Sequence, residues 1–127
     1  MSNDPLLWRK AKPARLVIAD DHELARAGLR TMLTGQCGLE LVGEAANGRE
    51  VLLLCRRLQP DLALIDVRMP ELDGLTTCRA IKQECQGTSV ILVTIHENPE
   101  YLFEALKAGA AGYVLKDISQ RELINAV

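Results

Sequence analysis

The residues of this chain best able to do chemistry stand where apolar runs stop. Asp66 closes Leu62-Ala63-Leu64-Ile65, Asp20 and Asp21 follow Arg15-Leu16-Val17-Ile18-Ala19, Thr94 ends Ser89-Val90-Ile91-Leu92-Val93, and Lys116 follows Gly112-Tyr113-Val114-Leu115. Taken singly, each is an ordinary cap or turn residue. A carboxylate at the carboxyl end of a buried strand also sits where open α/β sheets do their work, and there it serves as ligand, base or nucleophile.

Whether these side chains meet depends on the elements that carry them. Between the runs lie helical patterns. Leu24, Ala25, Gly28, Leu29, Met32 and Leu33 recur every three or four residues from His22 to Thr34, with Gly35 as a stop. A weaker strand, Leu39 to Ala45, is interrupted by Glu40, Gly43 and Glu44 as an edge strand tolerates. Asn47-Gly48 opens a helix with Val51, Leu54, Cys55 and Leu58 inward and Leu53 outward, ending before Pro60. Asp73-Gly74 starts another with Leu75, Cys78 and Ile81 inward, closing near Gly87. Asn98-Pro99-Glu100 begins a fourth whose predicted inner face is Leu102, Ala105 and Leu106, with Phe103 pointing away. Ser119-Gln120-Arg121-Glu122 is a capping box before a last helix with Leu123, Ile124 and Val127.

Strict alternation of five strands and five helices specifies an α/β fold, a five-stranded doubly wound parallel sheet of flavodoxin-like order 2-1-3-4-5. That order sets strands 1 and 3 side by side and gathers Asp20, Asp21, Asp66, Thr94 and Lys116 in one crevice. One ammonium cannot neutralise three acids, so a divalent cation is expected; oxygen donors with room for water suit Mg²⁺. Metal, lysine and hydroxyl together form a phosphoryl-binding set, and the remaining carboxylate can become an acyl phosphate.

Composition excludes other classes. The 127 residues make one domain, 48% hydrophobic and 25% charged, and a net charge of -2 gives no reason to expect this segment to bind nucleic acid. No run is long enough for a membrane span and Met1 to Arg15 lacks a signal-peptide core, so a cytoplasmic protein is expected. Cys37, Cys55, Cys78 and Cys85 form no C-x-x-C pair and read as reduced thiols. Residues 1–14, with two prolines and Trp8, read as a flexible leader to a domain over 15–127. The final helical pattern stops after about two turns, as if the chain were cut within it.

In Ile18-Ala19-Asp20-Asp21-His22, Leu64-Ile65-Asp66-Val67-Arg68-Met69-Pro70, Asp73-Gly74, Thr94 and Lys116, the chain resembles the receiver domain of a two-component response regulator. Val42-Gly43-Glu44-Ala45-Ala46-Asn47-Gly48 and Gly112-Tyr113-Val114-Leu115-Lys116-Asp117 resemble its NarL/FixJ subfamily, whose receivers precede a LuxR-type helix-turn-helix absent from this chain. The resemblance implies that Asp66 accepts a phosphoryl group from a sensor histidine kinase. It implies that Asp21, Asp66 and the Arg68 backbone carbonyl hold Mg²⁺, with Asp20 acting through a water. Thr94 and Lys116 would contact the phosphoryl oxygens. As Thr94 moves inward, Tyr113 would follow and reshape the face of the fourth helix, fifth strand and last helix. The implied outputs are homodimerisation or release of a DNA-binding domain, so that DNA is a partner only through that further domain. The implied class is a signalling phosphoacceptor that at most catalyses its own phosphorylation and dephosphorylation, not an enzyme.

Several positions depart from, or elaborate on, the pattern. Asp117 stands where most receivers have proline, and a cis Lys116-Asp117 bond is expected despite a cost of roughly 3–4 kcal/mol. Ile95 is bulky beside Thr94 and is expected to slow small phosphodonors, while Arg68 and His96 flank the site and would tune phosphoryl lifetime. His22 reads as a surface residue at a helix start rather than a ligand. A flavodoxin-like electron carrier would need a Ser/Thr/Gly-rich phosphate loop in place of Asp20-Asp21-His22-Glu23, and a haloacid dehalogenase phosphatase would need acids separated by one residue. A receiver that acts only as a protein-interaction module, without phosphorylation, remains the alternative.

Overall fold

The computed structural model describes residues 13–34, 36, 38–69, 72–94 and 99–115. Their elements run β1 (Ala14–Ala19), α1 (Glu23–Leu33), β2 (Leu39–Ala45), α2 (Gly48–Leu58), β3 (Leu62–Asp66), α3 (Gly74–Glu84), β4 (Ser89–Thr94), α4 (Pro99–Lys107) and β5 (Gly112–Leu115). The five strands form one parallel sheet in the order β2-β1-β3-β4-β5. This is the flavodoxin-like arrangement the alternation predicts.

The central strands are continuous apolar runs because both of their faces are covered. Leu16, Ile18, Leu64, Ile91 and Val93 point to one side, where Leu29, Met32 and Leu33 of α1 pack. Val17, Ala19, Ala63, Ile65, Val90 and Leu92 point to the other, under Val51 and Cys55 of α2, Cys78 and Ile81 of α3, and Ala105 of α4. At the β2 edge, Leu16 pairs with Leu41 but Val17 pairs with Gly43, so Val42 is an extra residue that bends the strand.

Local chemistry sets the helix starts. Asn47 accepts the Glu50 amide at 2.9 Å and Asp73 accepts the Thr76 amide at 2.8 Å, each satisfying a donor left open by the first helical turn. α2 ends at Gln59, whose left-handed backbone (φ 48°) turns the chain toward Pro60.

Four expectations need correction. β1 begins at Ala14, one residue before the apolar run, because the Ala14 amide already donates to Gly38 O at 2.8 Å. α3 stops at Glu84, and residues 86 and 87 are a turn beyond it. Gly28, assigned to the inner stripe of α1, is exposed, and Leu24, from the same stripe, is 87% exposed. Leu24 lies in the first turn, past the strand ends, where no sheet remains to cover it. In α4 the inner residues are Tyr101 and Ala105, followed by Ala108 just past its end, while Leu102 and Leu106 join Phe103 on the exposed side.

Cys55, Cys78 and Cys85 are buried free thiols. Removal from water pushes Cys55 up to about 12 and Cys78 up to about 11, and raises Cys85 as well. Such thiols are inert packing groups at neutral pH. Among the described residues no helix is long and apolar enough to cross a membrane. Trp8, Cys37 and the capping box at Ser119 fall outside the described residues.

Candidate functional site

Register alone brings the first acids together. Ala19 pairs with Ile65 across the parallel β1–β3 ladder, so the next residues, Asp20 and Asp66, leave adjacent strand ends side by side. Adjacent strands lie about 4.8 Å apart. One carboxylate oxygen each from Asp20, Asp21 and Asp66 and one ring nitrogen of His22 all lie within 4.8 Å of one another.

Each acid is held differently. Asp20 is fully buried; its amide donates to Ala45 O at 3.1 Å, and its Oδ1 accepts the His22 amide at 2.9 Å. Asp66 is 4% exposed, and its Oδ1 accepts the Arg68 amide at 3.1 Å. Asp21 is more open, and His22 Nδ1 lies 3.0 Å from its Oδ1 and 3.4 Å from that of Asp20. The His22 side chain is 70% exposed at the N-cap of α1, the surface position expected for it, yet it closes the rim of the acidic cluster.

The loop after β3 is shaped by backbone bonds. The Val67 amide donates to Val93 O and the Gly74 amide to Val67 O, both at 2.9 Å, which returns the chain directly into α3. Val67, Arg68, Met69 and Asp73 then form one wall of a cleft of about 500 Å³ that Asp21 and Tyr101 also line. Arg68 is exposed there, beside the acids. Thr94 is buried at the end of β4, one residue past Val93, the partner of Asp66. Tyr113 pairs with Leu92 on β5 and packs against the apolar cluster that holds Val90 and Leu92. Strand alternation puts Thr94 on that same face. Lys116, Ile95, His96 and the Lys116-Asp117 bond lie outside the described residues.

Two contacts at the site left no mark in the sequence pattern. Arg26 Nη1 donates to Asp20 O at 2.8 Å, and its Nε lies 3.3 Å from Glu44 Oε1. Gly74 allows α3 to touch the backbone of Asp66: a Cβ there would lie 2.6 Å from Asp66 O. A helical arginine six residues past an acid, and a glycine after a capping Asp, carry no period that would reveal these contacts.

The chemistry of the set suits a hard divalent cation. At an effective dielectric of about 20, two carboxylates some 4–5 Å apart repel by roughly 3–4 kcal/mol, and a dication among them reverses the sign. Carboxylate oxygens dominate the donors, as Mg²⁺, Ca²⁺ and Mn²⁺ prefer.

Comparison with known proteins agrees with the geometry. The family model for the response regulator receiver domain matches residues 16–127. The chain is 42% identical over 110 residues to the uncharacterized transcriptional regulatory protein YhcZ of Bacillus subtilis, covering 87% of this chain and 51% of that protein. It is 39% identical over 113 residues to the probable transcriptional regulatory protein NarL of Mycobacterium tuberculosis, covering 89% and 52%. It thus spans about half the length of these relatives. The solved receiver domain of the M. tuberculosis NarL superposes with a TM-score of 0.87 at 37% identity, covering 91% of this chain and 94% of that one. A LuxR-family response regulator of Aurantimonas does so with a TM-score of 0.86 at 32% identity, covering 91% and 82%. The chain belongs to the response regulator receiver domain family, close to its NarL and LuxR-type members.

Proposed function

We propose that the chain is a phosphoacceptor switch in which Asp66 takes a phosphoryl group from a phosphohistidine of a sensor kinase. One observation carries this reading: a buried carboxylate at the end of the central strand, within 4.8 Å of two further acids, one of which, Asp21, lines a cleft with Val67 and Arg68.

The Arg68 amide orients Asp66 by holding Oδ1. An Asp66 carboxylate oxygen attacks phosphorus; the O–P bond forms as the P–N bond breaks, and the bonding pair stays on the imidazole nitrogen of the kinase. Asp21, Asp66 and the Arg68 carbonyl would hold Mg²⁺ directly, with Asp20 acting through a water. Bound there, the ion supplies positive charge to the phosphoryl oxygens and to the three acids. Thr94 donates its hydroxyl to one phosphoryl oxygen and Lys116 pairs with another. Thr94 and Tyr113 share a sheet face, so inward movement of Thr94 makes room for the ring. The face of α4 and β5 is then the part that changes, biased by a local charge event. Homodimerisation and control of DNA binding through a further domain are the proposed outputs.

The test treats the protein with Mg²⁺ and a small phosphodonor such as phosphoramidate, and separately with beryllofluoride. Intact mass should rise by one phosphoryl group, in a form labile to hydroxylamine, and Asp66→Asn should abolish it. Mg²⁺ should raise the melting temperature of the wild type and not of that variant. No adduct at saturating reagent would favour a receiver that works by protein interaction alone.

A further inference from the structure

We propose that Arg26 is a positioning residue for the acidic pocket: its guanidinium, aimed by Glu44, fixes the Asp20–Asp21 peptide and so sets how well the site holds a divalent cation. The inference rests on the phosphoacceptor reading and assigns a role to residues that touch neither phosphoryl group nor metal.

The geometry is a three-element clamp. Arg26 leaves the first turns of α1 and turns back to the end of β1, where Nη1 donates to Asp20 O at 2.8 Å. Its Nε lies 3.3 Å from Glu44 Oε1 on β2. Glu44 is held in turn by Arg30, whose Nη1 donates to Oε1 at 3.0 Å and Oε2 at 2.8 Å. The Arg26 and Glu44 side chains are only 21% and 25% exposed, so the pair is more sheltered than the surface bridges Arg56–Glu84 and Arg79–Glu104.

The consequence falls on Asp21. The Asp20 amide is fixed by Ala45 O and its Oδ1 by the His22 amide. Arg26 grips the carbonyl of the peptide that joins Asp20 to Asp21 and so restrains its rotation directly. A swing there would carry the Asp21 carboxylate out of the cluster it forms with Asp20 and Asp66. The charge of the guanidinium by itself opposes a nearby dication, but its pairing with Glu44 at 3.3 Å offsets that charge, so Arg26 acts on the site through the geometry of the peptide. Arginine suits this task because its planar fork presents Nε to Glu44 and Nη1 to the carbonyl at once, whereas a lysine ammonium is a single point on a flexible stem.

The experiment is calorimetric Mg²⁺ titration of the metal-free protein, with urea unfolding in parallel and amide NMR of Asp21 and His22. Arg26→Met should weaken Mg²⁺ about three- to tenfold, less than the full contribution of a hydrogen bond with a charged donor because Arg26 reaches the ion only through the Asp21 backbone. Arg26→Lys should fall between it and the wild type, and Glu44→Gln should shift affinity in the same direction by less. All three should move the Asp21 amide signal before any metal is added. Arg56→Met, taken from an ion pair remote from the acids, should leave affinity unchanged. If Arg26→Met and Arg26→Lys bind Mg²⁺ like the wild type while losing stability, Arg26 is a packing clamp and the proposal is overturned. If the wild type itself takes neither Mg²⁺ nor beryllofluoride, the phosphoacceptor reading fails and this inference with it.

Discussion

Gly74 offers a clean test of how the helix after β3 supports the acid at its end. The residue opens α3 with a backbone conformation open to any amino acid, so replacing it with alanine adds only a methyl group. That methyl carbon would lie 2.6 Å from Asp66 O and 2.7 Å from Val67 Cα. Both are backbone atoms of the central strand's exit and cannot rotate aside. Relief requires α3 to back away from the sheet or the 66–67 peptide to turn, and the second route drags the Arg68 amide off Asp66 Oδ1. Overpacking of this kind costs about 1–3 kcal/mol. The gain from a stiffer unfolded chain is about 0.4–1 kcal/mol in the other direction. At mid-range the net loss is about 1.3 kcal/mol, and with a urea slope of about 1.5–2 kcal/mol/M it lowers the midpoint by roughly 0.6–0.9 M.

The same substitution at Gly28 should have the opposite sign. Gly28 lies on the exposed side of α1 with nothing within 4 Å of the added carbon, so Gly28→Ala should gain up to about 1 kcal/mol of helix propensity. Paired urea titrations of the two variants, with beryllofluoride uptake scored on each, give the comparison. Gly74→Ala should also lose reagent uptake, and Gly28→Ala should keep it. A Gly74→Ala protein as stable as Gly28→Ala, with uptake intact, would refute the claim that the α3 start braces Asp66.

Other contacts in the fold carry further outcomes. Thr88→Val should cost about 1–3 kcal/mol by urea titration, because the buried Thr88 Oγ1 donates to Pro60 O at 2.7 Å and valine leaves that carbonyl without its donor. Asn47→Ala should cost about 1 kcal/mol through the lost bond to the Glu50 amide, and Asn47→Asp should keep most of it. Cys55, Cys78 and Cys85 should resist a thiol reagent at pH 8 until the protein is unfolded. An unfolded thiol ionises near 9 whereas Cys55 stays protonated to about 12, so the unfolded state binds fewer protons over that window and stability should fall as pH rises through it. A stability profile flat from pH 8 to 10 would contradict that burial.

What the sequence made legible, and what it hid, follows from how each contact is encoded. The bounds of β3 and β4 match the apolar runs because a strand buried on both faces has no phase to mistake; it begins and ends where polar turn residues do. A helix has a phase, and α4 shows how it misleads. Leu102, Ala105 and Leu106 form one stripe, and Tyr101, Ala105 and Ala108 form another that shares Ala105; large side chains favour the first. The fold uses the second, which brings small alanines close to the sheet and leaves Leu102, Phe103 and Leu106 outside, with Lys107 lying 5.2 Å over the Phe103 ring. Contacts such as Arg26 on Asp20 O or Gly74 against Asp66 are made by reach and close approach, which leave no periodic trace.

The acidic cluster was legible for a different reason. It is a consequence of register, and register is itself written in the pattern. Ala19 faces Ile65, so the acids that follow them must emerge as neighbours. Sliding β1 by one residue would turn every inward side chain of that strand to the other face, exchanging Leu16 and Ile18 for Val17 and Ala19 against α1. The core therefore forbids the slip, and by forbidding it holds two carboxylates one strand spacing apart despite their repulsion. Hydrophobic matching between β1 and α1 is thus what keeps the acids ready for a cation. Leu16→Ala, a core change in the middle of the strand four residues before Asp20, should lower stability by about 2–5 kcal/mol yet leave the Mg²⁺ affinity of the folded fraction within about twofold, because no other register buries the remaining face.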